Sequence, residues 1–137
     1  MIVSISMTEL PLLERAVRQF RAVEGGRAFV EAPGALAFVA TDGPVIQGWC
    51  WGHHLARPDA SSMLYLHDLE VAEAHRRQGI GRRLVGAFMA AGAAAGATTL
   101  FLSTGAANAA ARSLYESLGG ELATQGPTVQ YWFRLGE

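Results

Sequence analysis

The chain has 137 residues, of which half are hydrophobic and 17% charged, a balance that supports one buried core and excludes a disordered or fibrous protein. A formal net charge of −1 supplies no global basic field for nonspecific nucleic-acid binding. All eleven basic residues are arginine, so chemistry at a lysine amine is excluded as well.

Met1–Ser6 reads as a short alternating strand, followed by a helix capped by Thr8 and running through Phe20, with Leu12, Leu13, Ala16, Val17 and Phe20 at helical spacing. Glu24-Gly25-Gly26 interrupts it, and Pro33-Gly34 marks a second break. Leu36–Ala40, a turn at Thr41–Pro44 and Val45–His54 then form a hairpin. A polar loop, Arg57–Ser62, leads into the strand Met63–Val71 and the helix Gly79–Gly96, whose apolar stripe is Ile80, Leu84, Val85, Phe88 and Met89. Thr98–Ser103 is a short strand, Asn108–Leu118 a helix closed by Gly119-Gly120, and Val129–Leu135 the last strand.

This order implies an α/β (α+β) fold, a mixed and mostly antiparallel sheet with helices on both faces. Met63–Val71 and Thr98–Ser103 are expected to be parallel neighbours, because a connection through a helix returns the chain in the same direction. A single domain over residues 1–137 is expected. With Cys50 as the only cysteine, no intrachain disulfide can form, and a reducing compartment is the natural reading. The start lacks the charged head and apolar run of a signal peptide, and no run approaches the roughly 18 residues of a membrane span. A cytoplasmic protein is expected, without a membrane or nucleic-acid partner.

Between strand and helix the chain becomes basic: Arg76, Arg77, Arg82 and Arg83 fall within eight positions. One account is an ordinary solvated turn. The other is an anion cradle, since the first amides of a helix lack intrahelical partners and carry the positive end of the dipole. Such a helix would aim the amides of Gln78–Arg82 at one point, with Gly79 and Gly81 leaving room for the ligand. The dinucleotide fingerprint does not fit, because its third glycine falls on Leu84, and no Gly-Lys-Ser/Thr is present.

Asp68 and Glu70 share one face of the Met63–Val71 strand, with Leu69 and Val71 on the other. A carboxylate in an apolar strand is costly unless paired or used. Either could take a proton or hold a cation; the structural alternative is an arginine partner such as Arg76. His67 points to the opposite face if the strand is regular. His53 and His54 are expected at a solvent-facing strand end, and at least one of Trp49 and Trp51 in the core. No histidine pair has a third ligand at metal spacing, so no metal is expected.

Arg76-Arg77-Gln78-Gly79-Ile80-Gly81, after a strand and before a helix, resembles the Q/R-x-x-G-x-G/A signature of the GNAT superfamily of N-acetyltransferases. Asn108 through Tyr115 to Gly119 resembles its later Asn-x-x-Ala-x-x-x-Tyr-x-x-x-Gly segment. The resemblance implies acetyl-CoA as co-substrate. Its pyrophosphate would lie on the Gln78–Arg82 amides with Arg76, Arg77 and Arg82 at the rim. Its pantetheine would pair with the backbone of Leu69, Glu70 and Val71 where the neighbouring strands splay. It further implies that Tyr115 protonates the departing sulfur, that Asn108 bonds the pantetheine or caps its helix, and that Asp68, with Glu70 as the alternative, takes the proton of the amine.

Within the superfamily, Leu66–Gly81 is most similar to aminoglycoside 3-N-acetyltransferases of the gentamicin/fortimicin type. It departs from them by an alanine at position 74 and by Glu70 in place of alanine, and the segment before the last helix lacks their paired acids. This implies a small-molecule amine, an aminoglycoside, as partner. The alternatives are another small amine, a polyamine, a protein N-terminus, or a non-catalytic acetyl-CoA sensor. A homodimer is expected from the alternating apolar residues of Val129–Leu135.

Overall fold

The computed structural model describes residues 1–123 and 129–136. The chain divides into two compact units, Met1–Gly105 and Ala106–Glu137. The first holds a five-stranded sheet in the order β1 (Ile2–Ser4), β2 (Ala35–Asp42), β3 (Val45–Ala56), β4 (Ser62–Val71) and β5 (Thr99–Leu102). The first three pairings are antiparallel and β4–β5 is parallel, as the crossover through a helix predicts.

Helices α1 (Leu10–Arg21) and α2 (Arg27–Glu31) cover one face of this sheet and α3 (Ile80–Ala94) the other. On the first face Leu13 and Ala16 bury against Ala37, Val39, Ile46 and Trp49. On the second, Ile80, Leu84, Val85 and Phe88 are almost fully buried, and Phe88 meets Phe38 edge-on at 6.4 Å. Because both faces are covered, the run Ala37–Ala40 is buried continuously instead of alternating with solvent.

Three local expectations are corrected. Helix α1 is not capped by Thr8. A 3-10 turn, Met7–Glu9, precedes it, and Ser6 donates its backbone N–H (2.8 Å) and hydroxyl (2.5 Å) to the Glu9 carboxylate, bonds that hold that carboxyl below its ordinary range. The break after α1 contains the short helix α2, which Gly25-Gly26 concealed in the sequence. The strand expected over Val129–Leu135 is not formed; Tyr131, Trp132, Phe133 and Leu135 are all more than three-quarters exposed. Strand propensity is a fit to a pleated, half-buried surface, and this segment has no ladder to realise it. Among the described residues, β5 therefore ends the sheet.

The second unit contains α4 (Ala109–Ser117). Asn108 caps it, accepting the Ala111 N–H at 3.1 Å. Gly119, in the left-handed region at φ 93°, ends it, with the Gly120 N–H returning to the Tyr115 carbonyl at 2.9 Å.

Candidate functional site

The candidate site lies where β4 runs on past the end of β5. The β4–β5 ladder stops at Leu66↔Leu102, but β4 continues to Val71. Residues Asp68–Val71 thus keep β3 on one side, and from His67 onward β4 has no β5 partner on the other. A 3-10 turn, Glu73–His75, then carries the chain to α3. Arg77 and Gly79 both adopt left-handed conformations, φ 65° and 77°, and the first bond of the α3 ladder is Arg83 N–H to Gly79 O, 3.1 Å. The amides of Ile80, Gly81 and Arg82 precede that ladder. Left-handed residues followed by a helix start turn successive N–H groups toward one point, the geometry that suits an anion. A Cβ built on Gly79 would meet nothing within 4 Å, so the space above the turn is open. Arg76, Arg77, Arg82 and Arg83 are exposed around it. Arg76 also donates its Nε to the Val71 carbonyl at 3.1 Å, fixing the turn to the end of β4.

A bulge decides which side chains of β4 face α1 and α2. Trp51 pairs with Asp68 but Gly52 pairs with Leu66, which leaves His67 as an extra residue on β4. Gly52 permits the close approach, since a Cβ there would lie 2.0 Å from the Tyr65 carbonyl oxygen and 2.8 Å from Phe88 Cζ. The expectation that His67 points away from Asp68 fails, because the strand is not regular. His67 stacks on Trp51 (4.9 Å, 13°) and lies against Tyr65 and His53, at 4.5 and 5.2 Å between ring centres. His53 likewise packs against Phe29 and Trp51, whereas His54 bonds the Ser62 hydroxyl at 2.8 Å. Desolvation, then the charge of His53, hold the His67 imidazole below its usual value of 6.5. An NMR titration of the ring protons, assigned by His67→Gln, should give a midpoint under 6.5. Because the unfolded chain protonates first, the His67 contribution to stability is present above pH 6.5 and is lost on acidification toward that lower midpoint.

Asp68 and Glu70 do share a face, as predicted, the face of α1 and α2. The Asp68 carboxylate is ion-paired with Arg21, the last residue of α1, and not with Arg76. Glu70 accepts the indole N–H of Trp49 at 2.9 Å, and Trp49 stacks on Phe20 at 5.6 Å. Beside these carboxylates lies a concavity of about 180 Å³ lined by Leu13, Val17, Arg21, Gly26, Phe29, Trp49 and Trp51. Trp49 is core and Trp51 is partly exposed, with its Nε1 buried and unpartnered among the described residues. Arg21 was legible only as a continuation of the Leu13–Val17 stripe by one further i+4 step. Phe29 carried no signal, because α2 itself was hidden.

Cys50 lies buried on the α3 side, where burial pushes its thiol up to about 12. Native protein should resist alkylation by iodoacetamide at pH 8, and denaturant should expose one reactive thiol. In the second unit, Tyr115 is half-buried on α4, seven residues from the Asn108 cap and so close to the same face. Among the described residues no cluster of three or more metal-ligating side chains occurs, and no helix is long and apolar enough to cross a membrane.

Comparison with known proteins agrees with this fold. Solved structures of similar fold include two aminoglycoside acetyltransferases from uncultured soil metagenomic samples. One matches at 23% identity, covering 99% of this chain and 98% of its own with a TM-score of 0.83. The other, in complex with sisomicin, matches at 20% identity, 99% and 96% coverage and a TM-score of 0.87. The aminoglycoside N-acetyltransferase AAC(6')-Iy in complex with CoA matches at 18% identity, 98% and 95% coverage and a TM-score of 0.78. At these identities the likeness is one of fold. No curated protein sequence matches the chain. The model of the Acetyltransferase (GNAT) family matches residues 6–120, a span that takes in the β4 edge, the arginine turn and the Asn108–Tyr115 helix. Acetyl-CoA is the donor that this family uses. The chain belongs to the GNAT acetyltransferase family and is an acetyl-CoA-dependent acetyltransferase.

Proposed function

We propose that residues 1–137 form one catalytic domain that acetylates a primary amine of a small polycationic molecule, an aminoglycoside, in a ternary complex with acetyl-CoA. The observation that carries this reading is the five-residue stretch of β4 beyond the β5 ladder, which leads through the 3-10 turn Glu73–His75 into the left-handed turn at the head of α3. The edge of Leu69, Glu70 and Val71 offers backbone groups to the amides of the pantetheine arm. The amides of Gln78, Gly79, Ile80, Gly81 and Arg82 receive the pyrophosphate, with Arg76 and Arg77 offsetting its charge. Acetyl-CoA supplies the activated thioester.

Asp68 holds the substrate ammonium and accepts its proton, directly or through water, so that a neutral nitrogen attacks the acetyl carbonyl. The C–N bond forms, the C–S bond breaks, Tyr115 donates its hydroxyl proton to the departing thiolate, and the second proton that the nitrogen sheds as it becomes an amide returns through water to the phenolate. Asn108, whose Oδ1 is engaged in the helix cap, offers its amide N–H groups to the pantetheine. Glu70, fixed by the Trp49 indole, adds negative potential to the acceptor side. The stacked rings of Trp51 and His67 give a sugar ring a flat apolar surface. The sisomicin complex of a neighbour of the same fold supports an aminoglycoside. The 3-amino position rests on the resemblance of the Leu66–Gly81 stretch. The exposed apolar side chains of residues 129–135 support a homodimer in solution.

The test follows thiol release from acetyl-CoA with gentamicin, sisomicin, kanamycin, spermidine and a short peptide, and locates the acetyl group by NMR. Turnover confined to aminoglycosides, with 3-N product and about 10²-fold loss in Asp68→Asn, supports the reading. Turnover only on another amine overturns the substrate, and cofactor binding without turnover on any amine favours a sensor module.

A further inference from the structure

The Asp68 carboxylate already has a cation on it. Arg21 reaches across 47 positions of sequence to pair with Asp68 Oδ2. Its own position is set by the end of α1: Ala22 takes the left-handed conformation, φ 58°, and its N–H closes on the Arg18 carbonyl, so the helix stops just past Arg21. Among the described residues that line the concavity, Arg21 is the charged one and the others are apolar or aromatic. The two partners are not equally placed. The Asp68 side chain is 17% exposed, whereas that of Arg21 is 47% exposed. The carboxylate is the fixed member, and the guanidinium is the member with solvent to move into.

We infer that Arg21 is a built-in competitor for the acceptor's seat: its guanidinium occupies the position at Asp68 that the ammonium of an incoming polycationic amine must take, and so sets the affinity threshold for substrates. This rests on the reading above that Asp68 receives the amine. The guanidinium sits on the carboxylate oxygen that an incoming ammonium would use. Arg21 therefore has to leave before Asp68 can act. The leaving group is a positive charge and the arriving group is another, so the exchange conserves the local charge and leaves no bare carboxylate among the aromatic rings. A monoamine gains little beyond what Arg21 already offered. A polycation brings further ammonium groups to this face, where Glu70 supplies a second carboxylate, and displaces Arg21 at lower concentration.

An equilibrium in which the seat is open only part of the time weakens the apparent affinity by the open fraction. A half-exposed ion pair worth about 1 kcal/mol corresponds to about fivefold. Binding is measured on the full chain, without acetyl-CoA, through the fluorescence of Trp49 and Trp51, with sisomicin and spermidine as probes. Arg21→Met should bind both about fivefold more tightly than the unaltered protein, and Arg21→Lys, which keeps a competing charge, should gain less than twofold. In an Asp68→Asn background the Arg21→Met gain should vanish, since the seat is gone. Circular dichroism melts confirm that each variant is folded.

Unchanged or weakened binding in folded Arg21→Met overturns the inference, as does a gain that persists beside Asp68→Asn. Absence of binding in both the unaltered protein and Arg21→Met overturns it too. If the cations bind in the expected pattern and no variant transfers acetyl, the functional reading fails and the competitor stands. If acetyl transfer proceeds with no gain in Arg21→Met, the reverse holds.

Discussion

Tyr115→Phe is expected to lower kcat for acetyl transfer by about 10²-fold or more, the usual worth of a positioned proton donor, with little change in the KM for acetyl-CoA. The ring is retained, so the half-buried packing of Tyr115 on α4 survives and the melting temperature should move by only a few degrees. A merely structural tyrosine would show the opposite pattern, a lowered melting point with kcat nearly intact. Leaving-group dependence separates the two further. With an acetyl thioester of a more acidic thiol, the departing sulfur needs no proton, so the deficit of Tyr115→Phe should shrink toward unity. A kcat within threefold of the unaltered enzyme, or a deficit that ignores the leaving group, would remove Tyr115 from the chemistry.

The second large effect concerns the turn. At Gly79 the backbone is left-handed, φ 77°, and a Cβ meets no atom within 4 Å. Asparagine and aspartate both tolerate that conformation, at a shared backbone cost of about 1 kcal/mol. The two differ in charge, so their comparison isolates electrostatics. Gly79→Asp places a carboxylate where the amides of Ile80, Gly81 and Arg82 converge, and repels the pyrophosphate by about 2 kcal/mol at an effective dielectric constant of 20 and ordinary screening. Acetyl-CoA should bind roughly 30-fold more weakly to Gly79→Asp than to Gly79→Asn at low salt, with the gap narrowing as salt is added. Calorimetry on the two variants measures it. Equal affinities would mean that the pyrophosphate lies elsewhere, and the role of the Arg76–Arg83 cluster would fall with it.

Much of the frame was legible before any coordinates. Helical spacing located α1 and α3, the crossover rule made β4 and β5 parallel, and two glycines beside four arginines marked the turn. These features are local, carried by residues within one or two turns of each other, and local sterics and hydrogen bonding decide them. Alternation also placed Asp68 and Glu70 together, because both lie on the same side of the bulge in register.

What escaped were pairings between distant segments. The bulge that turns His67 toward Asp68 depends on Gly52 of β3 passing close to Tyr65, a contact that nothing within Met63–Val71 announces. The Val129–Leu135 pattern promised a strand, but alternation states only which residues could share a face and cannot supply the partner. Nothing in the local pattern marked Arg21, at the end of α1, as the partner of Asp68, 47 residues away. Chemistry-bearing residues could be nominated from the chain alone, since residue type and spacing suffice for that. Whether a carboxylate is free, held by an indole or already seated on a guanidinium depends on what the fold brings against it. That is a property of packing, fixed by long-range contacts that no local pattern encodes.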